Sequence, residues 1–435
     1  MLLALAAAEG GVRLLSPRER PIEPADIDLH SFFSDAEIER GARFARPQLA
    51  LGMARAAIEL GTLALVVRRR SRWLPARSKR PVLAGAVTGA GLAVGLSLPA
   101  LPVSAISRRR GMAVGLVTQS WRGWAADLVK GAAIESVLAA AAGAATVSVT
   151  RRYPRRWWLP ASAGSVVFGA VLAALAPVVL DPVFNDFTPL PEGETRSDVL
   201  DLALAAGVKV GEVYSVDASR RTTAANAYVA GLGPTKRVVL FDTLLDRYSR
   251  DEIRVVVAHE LAHVRNRDVP RGVLYAAIVA PAVALAVQRL SWELSPERGT
   301  PGALPALALA AVAVGAPTGL IGNRLSRAIE RRSDAYSLVL TDAPDAFISF
   351  ERAIAVQNVA DLEPPRWLTS LLATHPPTAE RIGSAVSFAE RSGKWDGRRR
   401  LTAAPYRCAS AGDGSGALGN SPAAAGYSSD SSSIS

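Results

Sequence analysis

Residues 259–263 read His-Glu-Leu-Ala-His. Two imidazoles four residues apart leave a helix on the same face, close enough to hold one Zn²⁺ through neutral ring nitrogens. Glu260 follows the first of them, where a carboxylate can take a proton from water polarised by the metal and so generate a nucleophile for a peptide carbonyl. His259 and His263 are therefore candidate ligands, and Glu260 a candidate general base. A catalytic zinc takes a third protein ligand and keeps one position open. Glu330 and Asp334, again four apart, offer two more donors on one helix face. One of them could ligate the metal, and the other could orient a ligand histidine or hold a catalytic proton. The bland alternative is two surface histidines on one helix, and on the other a salt-bridged face among Arg327, Arg331 and Arg332.

Composition narrows the choice. The 435 residues include four histidines and a single cysteine, Cys408. No disulfide framework, Cys-rich zinc site or iron–sulfur site can be built from one thiol. Any metal must sit on histidine and carboxylate. The chain carries 50 Lys+Arg against 39 Asp+Glu, a net charge of +11. Such an excess fits nucleic acid or membrane flanks, and the hydropathy pattern decides for the second.

These residues need elements to position them. The chain is 49% hydrophobic with a mean hydropathy of +0.19, which argues against a purely soluble protein. Six runs read as transmembrane helices: 47–67, 81–106, 127–150, 157–180, 272–288 and 302–322. The first carries Arg55 and Glu59, and the third Asp127, Lys130 and Glu135. Arginines crowd the flanks (Arg68–Arg70, Arg108–Arg110, Arg151, Arg152, Arg155, Arg156), with Trp73, Trp157, Trp158 and Trp292 near span ends. Basic charge placed this way implies membrane lipid as a partner and removes the case for nucleic acid. Gly85/Gly89 and Gly91/Gly95 have a spacing that permits close helix packing. Residues 1–8 lack a basic start and are too short to span, so they read as neither signal peptide nor transmembrane helix.

The expected organisation follows. Residues 1–46 form a polar N-terminal segment and 47–180 a four-span membrane region. A catalytic domain carries the zinc helix over 181–271, and a transmembrane hairpin follows over 272–322. The catalytic domain resumes over 323–395 with the third ligand, and 396–435 is a disordered Ser/Gly-rich tail. Within the catalytic domain, 210–218 and 226–242 read as strands, the latter a hairpin turning at 231–235. Residues 197–206 and 250–266 read as helices, and the chain after the last span stays helical to Leu340 and again to Ser392. The fold class is thus a mainly α-helical integral membrane protein with an α+β metalloprotease domain.

In order along the chain, these segments resemble the M48 family of membrane zinc metalloproteases, and most of all its type I CAAX prenyl protease branch. The resemblance is carried by Pro182-Val-Phe-Asn-Asp-Phe-Thr-Pro-Leu190, Asn226-Ala-Tyr-Val-Ala-Gly231, Lys236-Arg-Val-Val-Leu-Phe-Asp-Thr-Leu-Leu245, the zinc helix, Ser326-Arg327…Glu330…Asp334, and Thr374-His-Pro-Pro377 with Arg381-Ile382. It covers roughly residues 45–390. It implies a zincin-like fold and one zinc per chain on His259, His263 and Glu330, with Glu260 as general base. Asp334 would orient a ligand or donate a proton. His375 and Arg381 would lie near bound substrate, stabilising the oxyanion. The strand at Asn226 and Ala227 would pair with an extended substrate.

The branch usually has seven membrane helices. Six are read here, and the first has no counterpart. The implied activity is a zinc endopeptidase acting on membrane-associated peptides, lipid-modified ones included. The arginine-rich, lysine-poor composition reads as a GC-rich bacterial genome, hence a bacterial plasma membrane, with the catalytic face cytoplasmic by resemblance. A membrane-protein quality-control protease is the alternative within the clan. An intramembrane protease fits poorly, because polar residues flank the zinc helix on both sides. From another class, a scaffold or transporter with a relict metal site would lack the intact set of His259, Glu260, His263 and Glu330.

Overall fold

The computed structural model describes residues 1–73, 78–231 and 236–394. The expected tail at 396–435, Cys408 and turn residues 232–235 lie outside the described residues. Among the described residues, six helices are long and apolar enough to cross a membrane, one for each expected run. Four precede the histidine helix: α2 (Asp35–Trp73), α3 (Pro81–Ser97) running on into α4 (Leu101–Ala113), α5 (Trp121–Arg152) and α6 (Trp158–Leu175). Ahead of them lies α1 (Leu2–Leu15).

Residues 1–46 are not the polar segment expected of them. α1 packs against the later membrane hairpin through buried Ala4, Ala8, Gly11 and Val12. Small residues on one face let backbones approach, but in an alanine-rich chain they give little periodic signal. Glu9 then pairs with Arg324 at 2.5 Å. α2 starts well before residue 47 because Ser34 and Glu37 form a reciprocal cap. The Ser34 N–H donates to the Glu37 carboxylate at 2.9 Å, and the Glu37 N–H donates to the Ser34 hydroxyl at 3.3 Å. Inside α2, Arg55 and Glu59 satisfy one another at 2.8 Å, as ionisable groups on a spanning helix must.

α3 and α5 make the tightest helix pair of the bundle. Gly85 and Gly89 of α3 face Gly143 of α5 so closely that a Cβ at Gly89 would run into the Ala139 carbonyl. The chain leaves the bundle through α7 (Asp181–Phe184) and enters a four-stranded sheet. In chain order its elements are β1 (Phe187–Pro189), α8 (Glu194–Ala205), β2 (Glu212–Val216), β3 (Ala227–Ala230), β4 (Arg237–Phe241) and α9 (Asp242–Leu245). The strand order is β1-β2-β4-β3, with β2 and β4 parallel and the two outer pairings antiparallel. The expected hairpin is thus β3–β4, and β3 is an edge strand with one neighbour.

The helix that carries His259 and His263 is α10 (Arg250–Arg265). The membrane hairpin follows as α11 (Asp268–Leu294) and α12 (Leu304–Thr341). Its second arm continues without a break well past residue 322. The chain closes with α13 (Pro344–Gln357), α14 (Arg366–Leu371) and α15 (Thr378–Arg391). Val199, Val213, Val238, Leu244, Val257 and Leu261 form one apolar core with Phe350 and Ala353 of α13. Segments on both sides of the membrane hairpin therefore share that core.

Candidate metal centre

α10 is fixed at its start by a capping box, with Ser249 and Glu252 each accepting from the other's backbone N–H. Ile253, Val257 and Leu261 are buried against the sheet and α8. That burial sets the rotation of the helix and turns His259 and His263 towards α12. α12 answers with Glu330 and Asp334, and the buried Ser337 hydroxyl donates to the Val255 carbonyl at 2.7 Å. Both arms of the site are thus held by packing, not by the site residues themselves.

His259 Nε2 lies 3.2 Å from His263 Nε2 and 3.1 Å from Glu330 Oε2, and His263 Nε2 lies 3.8 Å from Glu330 Oε1. A tetrahedral ion with bonds of about 2.0 Å needs donor–donor separations of about 3.3 Å. The three residues form a group whose donor atoms all lie within 4.8 Å of one another. The far side of each ring supports the same reading. His259 Nδ1 donates to Asp334 at 2.9 Å, and His263 Nδ1 donates to Asp268 at 3.0 Å. A proton held on each Nδ1 leaves both Nε2 lone pairs aimed at the common centre, the tautomer that metal ligation requires. These residues fit a divalent zinc-like ion.

Asp268 was not among the residues picked out by sequence. It sits just past the helix end, and Arg267 in a left-handed conformation (φ 55°) turns the chain sharply enough to bring it back under His263. Arg271 and Arg332 hold its other oxygen. Asp334 is buried and accepts the His259 hydrogen bond on one oxygen, while both oxygens accept from Arg381, at 2.6 and 2.9 Å. Of the two roles open to Asp334, this geometry suits orientation of the ligand.

Arg381 is placed differently from its expected role at the substrate. Its guanidinium is enclosed between Asp334 and Glu351, the latter at 2.6 Å. Every donor edge serves a buried carboxylate, because two such carboxylates on α12 and α13 must share a cation. Glu351 is itself a residue that sequence reasoning missed, since a single Glu in an amphipathic helix carries no signal of burial. His375 does reach the centre, with Nε2 3.5 Å from Glu330 and the ring largely exposed. Arg327 holds the segment that carries it by donating to the Ser370 and Ala373 carbonyls at 2.7 and 2.6 Å. Asn226 is exposed at the start of β3, and its side-chain oxygen accepts from the Ala227 N–H at 2.9 Å. Ala227 is buried. His30 stays away from the centre, paired with Asp35 at 2.8 Å.

Electrostatics gather negative charge at the centre. Burial pushes the Glu260 carboxyl above its ordinary range, although the nearby histidines pull it down. Burial works against a charged His259, but its bonds to Asp334 and Glu330 outweigh it and raise the imidazole to about 10. The carboxylates that do this favour any cation at the centre, a metal ion as much as a proton.

The comparisons with known proteins agree with this geometry. A profile described as "Peptidase family M48" matches residues 189–388, and one described as "CAAX prenyl protease N-terminal, five membrane helices" matches residues 29–186, the segment that carries α2–α6. The "Uncharacterized metalloprotease YhfN" of Bacillus subtilis is 30% identical over 298 residues, 66% of this chain and 70% of that one. The chain belongs to peptidase family M48. Among other M48 relatives, the "Probable CAAX prenyl protease 1" of Schizosaccharomyces pombe is 28% identical over 59% of this chain and 56% of its own. The "CAAX prenyl protease 1" of Saccharomyces cerevisiae is 40% identical over 25% of each chain. The chain thus spans little more than half of the first of these relatives and a quarter of the second. The crystal structure of S. mikatae Ste24p shares the fold, with a TM-score of 0.73 at 19% identity over 88% of this chain and 97% of that one. As an M48 metalloprotease with six candidate spans, the chain is a multi-pass membrane hydrolase of peptide or protein substrates.

Proposed function

We propose that this M48 protein is a zinc endopeptidase cutting near the C-terminal ends of membrane-associated peptides, lipid-modified ones included. The observation that carries the reading is the convergence of His259 Nε2, His263 Nε2 and a Glu330 carboxylate oxygen within 4.8 Å, each histidine backed by its own carboxylate. These three residues hold the zinc. When bound, it supplies a Lewis acid and lowers the pKa of water. Glu260 takes the proton of the attacking water on its carboxylate and passes it to the nitrogen of the departing amine. The exposed His375 ring donates to the carbonyl oxygen as negative charge develops there. An extended substrate adds to the free edge of β3 beside Asn226, aligned by main-chain hydrogen bonds. Asp334 fixes the His259 ring, and Arg381 acts one step further back by holding Asp334.

The test is metal analysis of detergent-purified protein together with cleavage of a quenched peptide by wild type, Glu260→Ala and Glu330→Ala. One zinc per chain and loss of cleavage in Glu260→Ala with zinc retained are expected. Cleavage independent of Glu260 refutes the mechanism, and full zinc retention in Glu330→Ala refutes the third ligand. Prenylated against unprenylated peptides then identify the substrate class. A bacterial plasma membrane is supported by the arginine-rich, lysine-poor composition and by the Bacillus relative, and a cytoplasmic catalytic face by the family resemblance alone. Cys408 is the chain's one thiol and follows the last candidate span among the described residues. An impermeant maleimide should label it in inverted vesicles and leave it untouched in intact cells.

A further inference from the structure

The four glycines spaced along α3 do two different things. Gly85 and Gly89 face α5 and permit the close approach described above. Gly91 and Gly95 face away from it, and a Cβ added at either would meet no atom within 4 Å. They line a groove of about 800 Å³ between α2 and α3, walled by Val66 of α2 and Leu83, Val87 and Leu92 of α3. On the other side of the first turns of α3, a second groove of about 530 Å³ runs along Val82, Ala86 and Ala144. The two grooves share Arg80 and Leu83. Arg80 immediately precedes α3, so it stands over both mouths, and Lys79 lies beside it.

No acidic side chain lines either groove, and neither Lys79 nor Arg80 has an acidic partner among the described residues. From Arg80 to Leu96 the larger groove follows the helix for about 24 Å, longer than one leaflet of a hydrocarbon core about 30 Å thick. None of the lining residues belongs to α10, α12 or α15, which carry the metal centre.

We infer that α3 carries a site for one anionic phospholipid, with its phosphate on Lys79 and Arg80 and one acyl chain in each groove. The paired grooves call for two chains on one headgroup, and a single-chain amphiphile would leave one of them empty. Two cations without an acid call for a net negative headgroup, at the end of a span where headgroups lie. Gly91 and Gly95 provide the depth for the longer chain. In this reading they are kept small to admit lipid, not a neighbouring helix.

The test uses full-length protein reconstituted in bilayers of phosphatidylcholine and phosphatidylglycerol, with retained lipid counted by native mass spectrometry. Wild type should keep about one phosphatidylglycerol per chain, with a preference over phosphatidylcholine of up to about thirtyfold. Lys79→Gln with Arg80→Gln should abolish the preference while leaving some lipid of either kind. Gly91→Leu with Gly95→Leu should retain neither. Its new side chains enter open groove, so its zinc content and melting temperature should stay at wild-type values, which separates loss of lipid from loss of fold. Equal retention of the two lipids by wild type overturns the inference. So does undiminished phosphatidylglycerol in the doubly filled variant. If that variant keeps its lipid but loses cleavage of lipidated peptides alone, the groove holds the substrate's own lipid and the inference also fails.

Discussion

Asp334 and Glu351, both buried, share one cation, the part-buried Arg381. Removing a shared partner from buried charges costs far more than the pair contributes, because the charges left behind stay desolvated. Arg381→Ala should therefore lower unfolding stability by about 3–5 kcal/mol, read by thermal denaturation. Arg381→Lys should recover only part, since an ammonium cannot bridge two carboxylates as a planar guanidinium does. A substrate contact would instead move KM and leave stability alone. Glu351 adds a pH dependence of its own. Burial lifts its carboxyl from 4.5 to about 7, against the pull of Arg381. A carboxyl that holds its proton more tightly folded than unfolded adds stability that is complete below the unfolded pKa and lost as pH rises through the folded one. The melting temperature should fall between about pH 4.5 and 7, and Glu351→Gln should flatten that slope.

At the level of elements, patterns that rest on one chemical feature were legible in the sequence. The six apolar runs, the β3–β4 hairpin and the histidine helix each announce themselves through length, alternation or spacing. What stayed hidden depends on partners distant in the chain. β1 has only three residues and exists because Phe187–Pro189 meets β2. α1 is held by small residues whose meaning appears only against α11 and α12. The candidate ligands His259 and His263 were legible because their spacing is local, and Glu330 was singled out over Asp334 by family resemblance alone, whereas Asp268, Glu351 and the enclosure of Arg381 come from tertiary folding. The α3–α5 contact offers a direct comparison. Gly89→Leu should disrupt the helix pair and cost about 1–3 kcal/mol or more, because the Ala139 carbonyl occupies the space. Gly91→Leu, two residues on, should leave the melting temperature unchanged.

Across the whole molecule, the candidate metal centre is assembled from α10, before the membrane hairpin, and α12, within and beyond it. α1 braces that hairpin from the N-terminal end through its apolar face and the Glu9–Arg324 pair. Deleting residues 2–16 should loosen α11 against α12, lower the melting temperature and reduce bound zinc, while leaving the protein in the membrane fraction. The two halves of the site meet only after both arms of the hairpin have found their places. During synthesis a ribosome must therefore deliver the chain beyond Glu330, and both arms must enter the bilayer, before three ligands exist together. A nascent or wrongly inserted copy carries the histidines but no competent centre. On the proposed reading of the site, the fold is an assembly checkpoint that withholds a peptide-cutting activity from the cell until the protein is seated in its membrane.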